Sequence, residues 1–261
     1  MKLRNLLYAQ SGGVTSVINT TAAGVIETAR ASNEIGKVYA GKNGISGILK
    51  EELVDTSLES DTQINFLKYT PGGAFGSCRY KLKDPKEDPT QYLRLLEVFK
   101  SHNIGYFLYN GGGDSQDTTN KIASFTKKSG FPVQCIGIPK TVDNDLSFTD
   151  NCPGFGSVAK YIATSTQEAA LDVKSMADTS TKVFIMEVMG RHAGWIAASS
   201  SLAAVEKNDP PHIILLPEIR LSKTKFINKV KRTVLDNGYC VIVVSEGLRD
   251  IRGNFLSDSG R

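Results

Sequence analysis

The stretch YFLYNGGGDS, residues 106–115, joins a short apolar run to a turn with three consecutive glycines. Runs of this composition and length are typical of buried strands, so a strand is predicted over residues 106–109. Glycine loses more backbone freedom on folding than any other residue, and a purely structural turn rarely needs three. The glycines and Asp114 leave two interpretations open, a structural turn and a turn whose backbone a ligand approaches.

The alternation of short apolar runs with longer amphipathic runs continues in both directions, which is typical of an α/β protein with a parallel sheet. Further strands are predicted at residues 6–9, 133–138, 183–188, 212–216 and 240–244. The spacing of apolar residues predicts helices around residues 18–29, 93–100, 158–173 and 227–234.

The composition of the chain narrows its function classes. Its 261 residues suit one large domain or two modest ones. The net charge of +4, without a basic stripe, does not call for nucleic acid. No apolar run approaches membrane-spanning length, and the early run Leu6–Ala9 is too short for a signal peptide. The isolated cysteines predict reduced thiols and a cytoplasmic location. The histidines are scattered along the chain, so no zinc site is predicted.

Two charged segments are predicted to be solvated surface. The segment KLKDPKEDP, residues 81–89, is charged and rich in proline, and we expect a surface connection without a function. The basic residues between 223 and 232 are expected to form the wet face of an amphipathic helix rather than a binding patch.

Three polar or glycine-rich turns, at residues 11–13, 111–115 and 140–145, directly follow predicted strands. Ligands bind beyond the carboxyl ends of strands in open α/β sheets, so we expect these turns to share one crevice. The turn at residues 11–13 is expected to enter a helix, whose free N–H groups favour an anion. A simple tight turn is the alternative there.

The turn PKTVDND, residues 139–145, combines a lysine, a hydroxyl group and two carboxylates. Asp143 and Asp145 would repel one another without a ligand or a metal ion, which disfavours a simple polar turn. A carboxylate in such a turn can act as general base toward an alcohol. Lys140 can neutralise charge on a transferring phosphoryl group.

Two more turns follow later strands. Met189-Gly190-Arg191 follows the strand at residues 183–188, and the fork of Arg191 suits a phosphate, with a surface ion pair as the alternative. Glu246 follows the strand at residues 240–244, where a solvated strand end is the alternative.

In this order the GG, GGxxS, PxTxDND and MGR turns and the later glutamate resemble the phosphofructokinase family over nearly the whole chain. The stretch PGFGS at residues 153–157, which leads into Ala159-Lys160-Tyr161, resembles the pyrophosphate-using branch. The resemblance implies an α/β fold with two Rossmann-like parallel-sheet domains. Residues 1–150 would bind the phosphoryl donor and residues 151–261 the sugar phosphate, the second domain being incomplete at its C-terminal side relative to the family.

The resemblance also implies roles for single residues. Asp143 matches the base that deprotonates the primary hydroxyl of the sugar, and Asp145 supports the same site. Lys182 stands where many relatives have an arginine that reaches a neighbouring subunit's substrate, although lysine lacks the arginine fork. The other residues that it assigns to the sugar phosphate are Thr141, Val142, Met189, Gly190, Arg191 and Glu246. Those that it assigns to the donor are Gly13, Arg79, Gly111, Gly112, Gly113 and Ser115.

Two positions distinguish phosphoryl donors in this family. Users of ATP generally have glycine where this chain has Asp114 and Lys140, and both side chains would fill space that an adenosine-bearing phosphate needs. The resemblance therefore implies pyrophosphate as the donor. Gly113 stands where most relatives have an acid that helps to hold magnesium. Mg²⁺ is accordingly expected at Asp114, assisted by Asp145, or is expected to arrive with the pyrophosphate.

The implied reaction is the reversible, glycolytic transfer of a phosphoryl group from pyrophosphate to the 1-hydroxyl of fructose 6-phosphate. Asp143 would be assisted in catalysis by Lys140, Asp114, Thr141 and Asp145. The resemblance also implies a homodimer or a homotetramer. An ATP-dependent phosphofructokinase remains an alternative, as does a non-catalytic sugar-phosphate-binding paralogue or regulatory subunit. Family members continue past the position of residue 261, so the chain is expected to be a fragment.

Overall fold

The computed structural model of this chain describes residues 3–258. Its internal contacts divide the chain into two compact units between Lys140 and Thr141. We call residues 1–140 the first unit and residues 141–261 the second unit. The division falls inside the PKTVDND turn, whereas the sequence placed a domain boundary at residue 150.

The first unit contains a five-stranded sheet with helices packed on it. Its described strands are β1 (Arg4–Gln10), β2 (Ile35–Gly41), β3 (Leu53–Asp55), β4 (Ile104–Gly111) and β5 (Gln134–Pro139). Its described helices are α1 (Ile18–Ala31), α2 (Gly44–Leu49), α3 (Asp61–Phe66), α4 (Thr90–Ser101) and α5 (Gly113–Lys128), with short 3₁₀ turns at Thr56–Leu58 and Leu67–Tyr69.

The strand order in this sheet is β3-β2-β1-β4-β5. All neighbouring strands are parallel except the short edge strand β3, which runs antiparallel to β2. The α/β class and the strands β1, β4 and β5 are as predicted. The sequence did not predict β2 and β3, because glycines and a lysine interrupt the apolar pattern of β2 and β3 has only three residues.

Both faces of this sheet are buried, which explains the uninterrupted apolar run of β1. Leu7 and Ala9 lie in one hydrophobic cluster, together with Phe99 of α4. Leu6 and Tyr8 point to the opposite face, in a cluster that also contains residues of α1. Strands that are covered on both faces lose the alternation of polar and apolar residues.

The second unit contains a smaller parallel sheet with the strand order β6-β8-β7. The described strands are β6 (Val183–Val188), β7 (Ile213–Leu215) and β8 (Cys240–Ser245). The described helices are α6 (Phe155–Met176), α7 (Trp195–Ser199) and α8 (Lys223–Asn237), with 3₁₀ turns at Ser200–Ala203 and Leu256–Asp258.

Helix α8 has the solvated basic face that the sequence predicted. Phe226, Val230 and Val234 pack against the sheet, while the lysines of the helix are exposed. Ile227, which the sequence placed on the packed face, is exposed instead, because Phe226 occupies that position. No helix within residues 3–258 has the length and apolar character needed to cross a membrane.

His212 links β7 to β8 through both its main chain and its ring. Its backbone N–H donates to the oxygen of Val241, and the N–H of Val241 donates to His212 Nδ1 at 3.0 Å. Burial lowers the pKa of His212 below its ordinary value of 6.5, and Asp209 partly opposes this effect. The ring therefore packs as a neutral acceptor, edge-on to Tyr239.

Acid is expected to destabilise this strand pair through His212. The unfolded chain binds a proton near pH 6.5, whereas the folded ring resists it, so stability falls as the pH drops below about 6.5. The variant His212→Asn keeps an acceptor but does not titrate. We expect its urea midpoint to fall less than that of the wild type between pH 7.5 and 5.5. An equal fall of the urea midpoint in the wild type and in His212→Asn would contradict this role of His212.

Candidate active site

The register of three parallel strands brings the turns of the first unit to one edge. Gln10 of β1 lies beside Asn110 of β4, and Asn110 lies beside Ile138 of β5. The turns at residues 11–13 and 111–115 and the side chain of Lys140 therefore line one cavity of about 450 Å³. The expected convergence is confirmed for these turns, while residues 141–145 belong to the second unit.

The turn after β1 differs from the prediction in one respect. Helix α1 begins at Ile18, so residues 14–17 separate it from Gly13. The turn is held instead by main-chain hydrogen bonds from Ser11 N–H to the oxygen of Asn110 and from Gly12 N–H to the oxygen of Cys78, both 2.9 Å long. The expected helix start after β1 is thus wrong for this turn.

Gly111 is required by packing within the protein. A Cβ atom at this position would lie 2.3 Å from Ser115 Oγ and 2.5 Å from Ser11 Oγ, which is too close for any real side chain. The two serine hydroxyl groups are hydrogen-bonded to one another in the space that Gly111 leaves. Beneath them Tyr109 also hydrogen-bonds Ser11, and burial raises the pKa of this tyrosine well above its ordinary range.

Gly112 and Gly113 are different, because no protein atom would contact a Cβ atom at either position. Helix α5 begins at Gly113, so the free N–H groups and the positive end of a sixteen-residue helix lie at this point of the cavity. Such a helix start favours an anion. The glycine run therefore combines one structural glycine with two that leave the backbone accessible.

Four charged side chains line the cavity: Arg79, Lys81, Asp114 and Lys140. Lys140 Nζ donates to the main-chain oxygen of Gly13 at 2.5 Å, so this side chain crosses the turn after β1. Lys81 Nζ lies 3.3 Å from Asp114 Oδ1, and both side chains are largely exposed to solvent. Three cations and one carboxylate leave the cavity with an excess of positive charge.

Lys81 is the cavity residue that the sequence analysis missed, since it assigned no function to residues 81–89. The sequence did contain a signal for this placement. Lys81 is two positions after Arg79, and residues i and i+2 of an extended segment point to the same side. The next residue, Leu82, is 3% exposed and packs in the cluster of Leu7 and Phe99. This anchor explains why a lysine in a charged loop faces the cavity.

The rest of the PKTVDND turn lies in the second unit and is partly a self-contained turn. Thr141 Oγ1 donates to Asp145 Oδ1 at 2.9 Å and accepts from the N–H of Asp143. Asn144 adopts a left-handed conformation with φ of 58°, and its buried side chain bonds the main chain at Asp150 and Cys152. Asn144 thus shapes the loop.

The side chains flanking Asn144 divide between core and solvent. Val142 packs its side chain against the apolar cluster that contains Ile162 and Val188. Asp143 is half-buried, and Asp145 is exposed. Any contact of Val142 with a ligand would therefore involve its main chain. The Asp145 carboxylate is exposed, whereas Oδ1 of Asp143 is buried.

The MGR turn and the turn after β8 hold one another within the second unit. The N–H of Gly190 donates to Glu246 Oε1 at 3.3 Å, and the hydroxyl group of Ser245 donates to the oxygen of Gly190. Gly190 has a φ of 120°, which is accessible to few other residues. Met189 and Arg191 are left exposed beside Glu246.

Lys182 does not join these residues within one chain. It precedes β6, while Met189, Gly190 and Arg191 follow the opposite end of that strand. A strand of six residues separates the two ends by about 20 Å. Lys182 Nζ donates to the main-chain oxygen of Ala177 instead. Its expected contact with a neighbouring subunit's substrate stays a prediction.

The contrast between the neighbouring glycines is testable. We expect Gly111→Ala to destabilise the first unit by about 2 kcal/mol, because the added methyl group overpacks the two serines. Gly112→Ala should change stability by less than about 0.5 kcal/mol, because its φ of −77° and its open surroundings accept a methyl group. Thermal unfolding of both variants provides the measurement. Equal losses would show that the glycines do not differ in this way.

The chain is similar to known proteins over its whole length. The chain is 60% identical over 261 residues to a pyrophosphate–fructose 6-phosphate 1-phosphotransferase from Halomonas elongata, covering 100% of this chain and 62% of that relative. The chain spans about 62% of the length of the curated relatives that it matches.

Solved structures are similar as well. A crystal structure of a pyrophosphate-dependent phosphofructokinase from Marinobacter aquaeolei is 63% identical, with a TM-score of 0.87 over 95% of this chain and 62% of that chain. One from Nitrosospira multiformis is 58% identical, with a TM-score of 0.88 over 96% of this chain and 62% of that chain. The family model described as phosphofructokinase matches residues 5–259. The chain therefore belongs to the phosphofructokinase family.

Proposed function

We propose that this chain forms the donor site and part of the sugar site of an enzyme that phosphorylates the 1-hydroxyl of fructose 6-phosphate with pyrophosphate. The observation that carries the proposal is Lys140, whose ammonium group lies on the turn after β1 and is joined in one cavity by Arg79 and Lys81. The names of the relatives at about 60% identity support it.

The cavity suits pyrophosphate better than ATP. Its lining is polar or made of glycine apart from Cys78 and Tyr80, so an adenine ring would find little apolar surface. Lys140 and the Asp114–Lys81 pair occupy the space beside the glycine turns. Three cations and the start of α5 match a small anion of high charge.

Asp143 would act as the general base. Its carboxylate would take the proton of the sugar hydroxyl group, whose oxygen then bonds the nearer phosphorus while the bond to the leaving phosphate breaks. Asp143 lies three positions after Lys140 in the sequence. Lys140 would neutralise charge on the leaving phosphate.

The sugar phosphate would bind at the second unit. The exposed guanidinium group of Arg191 offers a fork to its phosphate, and Glu246 accepts from Gly190 while retaining a second oxygen for a sugar hydroxyl group. Met189, Gly190 and Thr141 complete this proposed surface. The first unit would therefore be the donor-binding domain and the second the sugar-phosphate-binding domain.

Magnesium fits the donor cavity as an ion shared with the donor. Among the described residues no three acidic, histidine or cysteine side chains form a metal-binding cluster. Mg²⁺ is commonly held by one or two carboxylates and the phosphate oxygens of its substrate. Asp114, which is 81% exposed at the start of α5, would be its protein ligand. The ion would neutralise charge on the donor oxygens.

For the whole protein we propose a glycolytic enzyme of the cytoplasm, acting as a homodimer or a homotetramer. The four free cysteines of this chain suit a reducing compartment. The position of Lys182, remote from Arg191 along β6, suits a role toward a neighbouring subunit. The reaction would be reversible, since the phosphoryl bonds broken and formed are similar in energy.

Removing Lys140 should strongly reduce turnover with pyrophosphate. We expect Lys140→Gly to lower turnover with pyrophosphate by at least about 100-fold, because a cation on the leaving group is lost. The control Lys86→Gly removes an exposed lysine that does not line the cavity and should have no effect. Turnover and calorimetric affinity are measured with pyrophosphate and with ATP. Faster turnover or tighter binding with ATP in the wild type would overturn the donor assignment.

The role of Asp143 can be separated from binding. Asp143→Asn keeps the size of the side chain but removes its basicity, so kcat of the full-length protein should fall by about 100-fold or more. The affinity for fructose 6-phosphate, measured by calorimetry, should change little. A wild-type kcat in this variant would exclude Asp143 as the base.

A further inference from the structure

The segment from Met189 to Gly194, which we call the arginine turn, carries Arg191 and is held at both ends by carboxylates of the second unit. At its first end the N–H of Gly190 donates to Glu246 Oε1 at 3.3 Å. At its second end the N–H of Gly194 donates to Glu218 Oε1 at 2.7 Å. Glu218 has so far no role in the proposed function.

The contact of Glu218 with the arginine turn is close. A Cβ atom at Gly194 would lie 2.7 Å from Glu218 Oε2 and 2.9 Å from Leu216 Cδ2. A main-chain N–H that donates to a carboxylate at 2.7 Å forms a charge-assisted hydrogen bond, which is stronger than one between neutral groups. Of the two carboxylate contacts, the one at Gly194 is the shorter.

Glu218 is itself held by the segment that leaves β7. Leu216 packs against the apolar cluster of Val188 and Ile196, and Pro217 is buried. The N–H of Ile219 donates to the oxygen of Leu216 at 3.2 Å, which closes a turn around Glu218. The carboxylate therefore extends from a fixed main chain.

Arg191 has no comparable anchor. It is exposed, and no hydrogen bond or ion pair of its side chain is recorded within residues 3–258. The position of its guanidinium group therefore depends on the main chain of the arginine turn. That main chain is held by the hydrogen bonds at Gly190 and Gly194 and by Gly247, which packs directly against the backbone of Arg191.

We propose that Glu218 is a positioning residue for Arg191: by holding Gly194, it fixes the arginine turn in the conformation that receives the sugar phosphate. This inference rests on the proposed role of Arg191 in binding fructose 6-phosphate. Loss of the carboxylate leaves the N–H of Gly194 without its acceptor and allows the turn to relax. Where the bound conformation requires this hydrogen bond, its loss corresponds to about a tenfold loss of affinity.

The chain provides a reporter for this role, because Trp195 is its only tryptophan and follows Gly194 directly. Trp195 is 55% exposed, so its fluorescence responds to a change in the turn. We expect Glu218→Ala to shift the emission of Trp195 without any ligand and to weaken fructose 6-phosphate binding about tenfold. The KM for pyrophosphate should remain unchanged.

Matched variants separate positioning from a general loss of stability. Glu218→Gln keeps an acceptor oxygen but loses the charge, and its Trp195 emission and fructose 6-phosphate affinity should lie close to those of the wild type. Glu218→Asp shortens the side chain by one methylene group. Its Trp195 emission and its fructose 6-phosphate affinity should lie between those of Glu218→Gln and Glu218→Ala. Glu168→Ala, on the exposed side of α6, removes a glutamate without touching the arginine turn and should have no effect.

Two outcomes would overturn the inference. One is an unchanged Trp195 emission together with a fructose 6-phosphate affinity within twofold of the wild type in Glu218→Ala. The other is an equal effect of Glu218→Ala and Glu218→Gln. Absence of fructose 6-phosphate binding in the wild type would instead contradict the proposed function, and the ligand-free emission of Trp195 would still decide whether Glu218 positions the turn. If Glu218→Ala fails to fold, Glu218→Asp is compared with Glu218→Gln instead. Equal Trp195 emission and equal fructose 6-phosphate affinity in these two variants would then overturn the inference.

Discussion

The parallel register of β1, β4 and β5 is the constraint on which the cavity beside Lys140 depends. Parallel strands end at the same edge of a sheet, and the pairing of Gln10 with Asn110 and of Asn110 with Ile138 fixes how their turns align. A slip of one residue in either pair would reverse the side-chain pattern of a strand that is buried on both faces. The core residues of β1 and β4 therefore also determine where Lys140 meets the turn after β1.

Positive charge in the cavity is organised by the same edge of the sheet. Lys140 is fixed by its bond to Gly13, and Lys81 reaches Asp114 because Leu82 is buried. Surface ion pairs such as Lys81–Asp114 contribute little to stability, so we propose that this pair serves the cavity rather than the fold. The excess of positive charge and the positive end of α5 both attract an anion.

The second unit positions the residues that we propose for sugar-phosphate binding through their main chain. Glu246 and Glu218 accept from Gly190 and Gly194, and Arg191 extends from the turn between them. Holding the turn by its N–H groups leaves the guanidinium group available to a ligand. An arginine neutralised by a neighbouring carboxylate would lose part of its attraction for phosphate.

The sequence by itself determined the α/β class, strands β1, β4 to β8 and the family, because apolar runs and motifs such as PKTVDND are local in the chain. It did not predict β2 and β3, whose apolar patterns are short or interrupted, and it expected the turn after β1 to lead directly into α1. Only the tertiary structure separated Gly111 from Gly112, brought Lys81 to Asp114 and joined Glu218 to Gly194. These contacts join residues distant in sequence, and their geometry is set by strand register and burial, which no local pattern encodes.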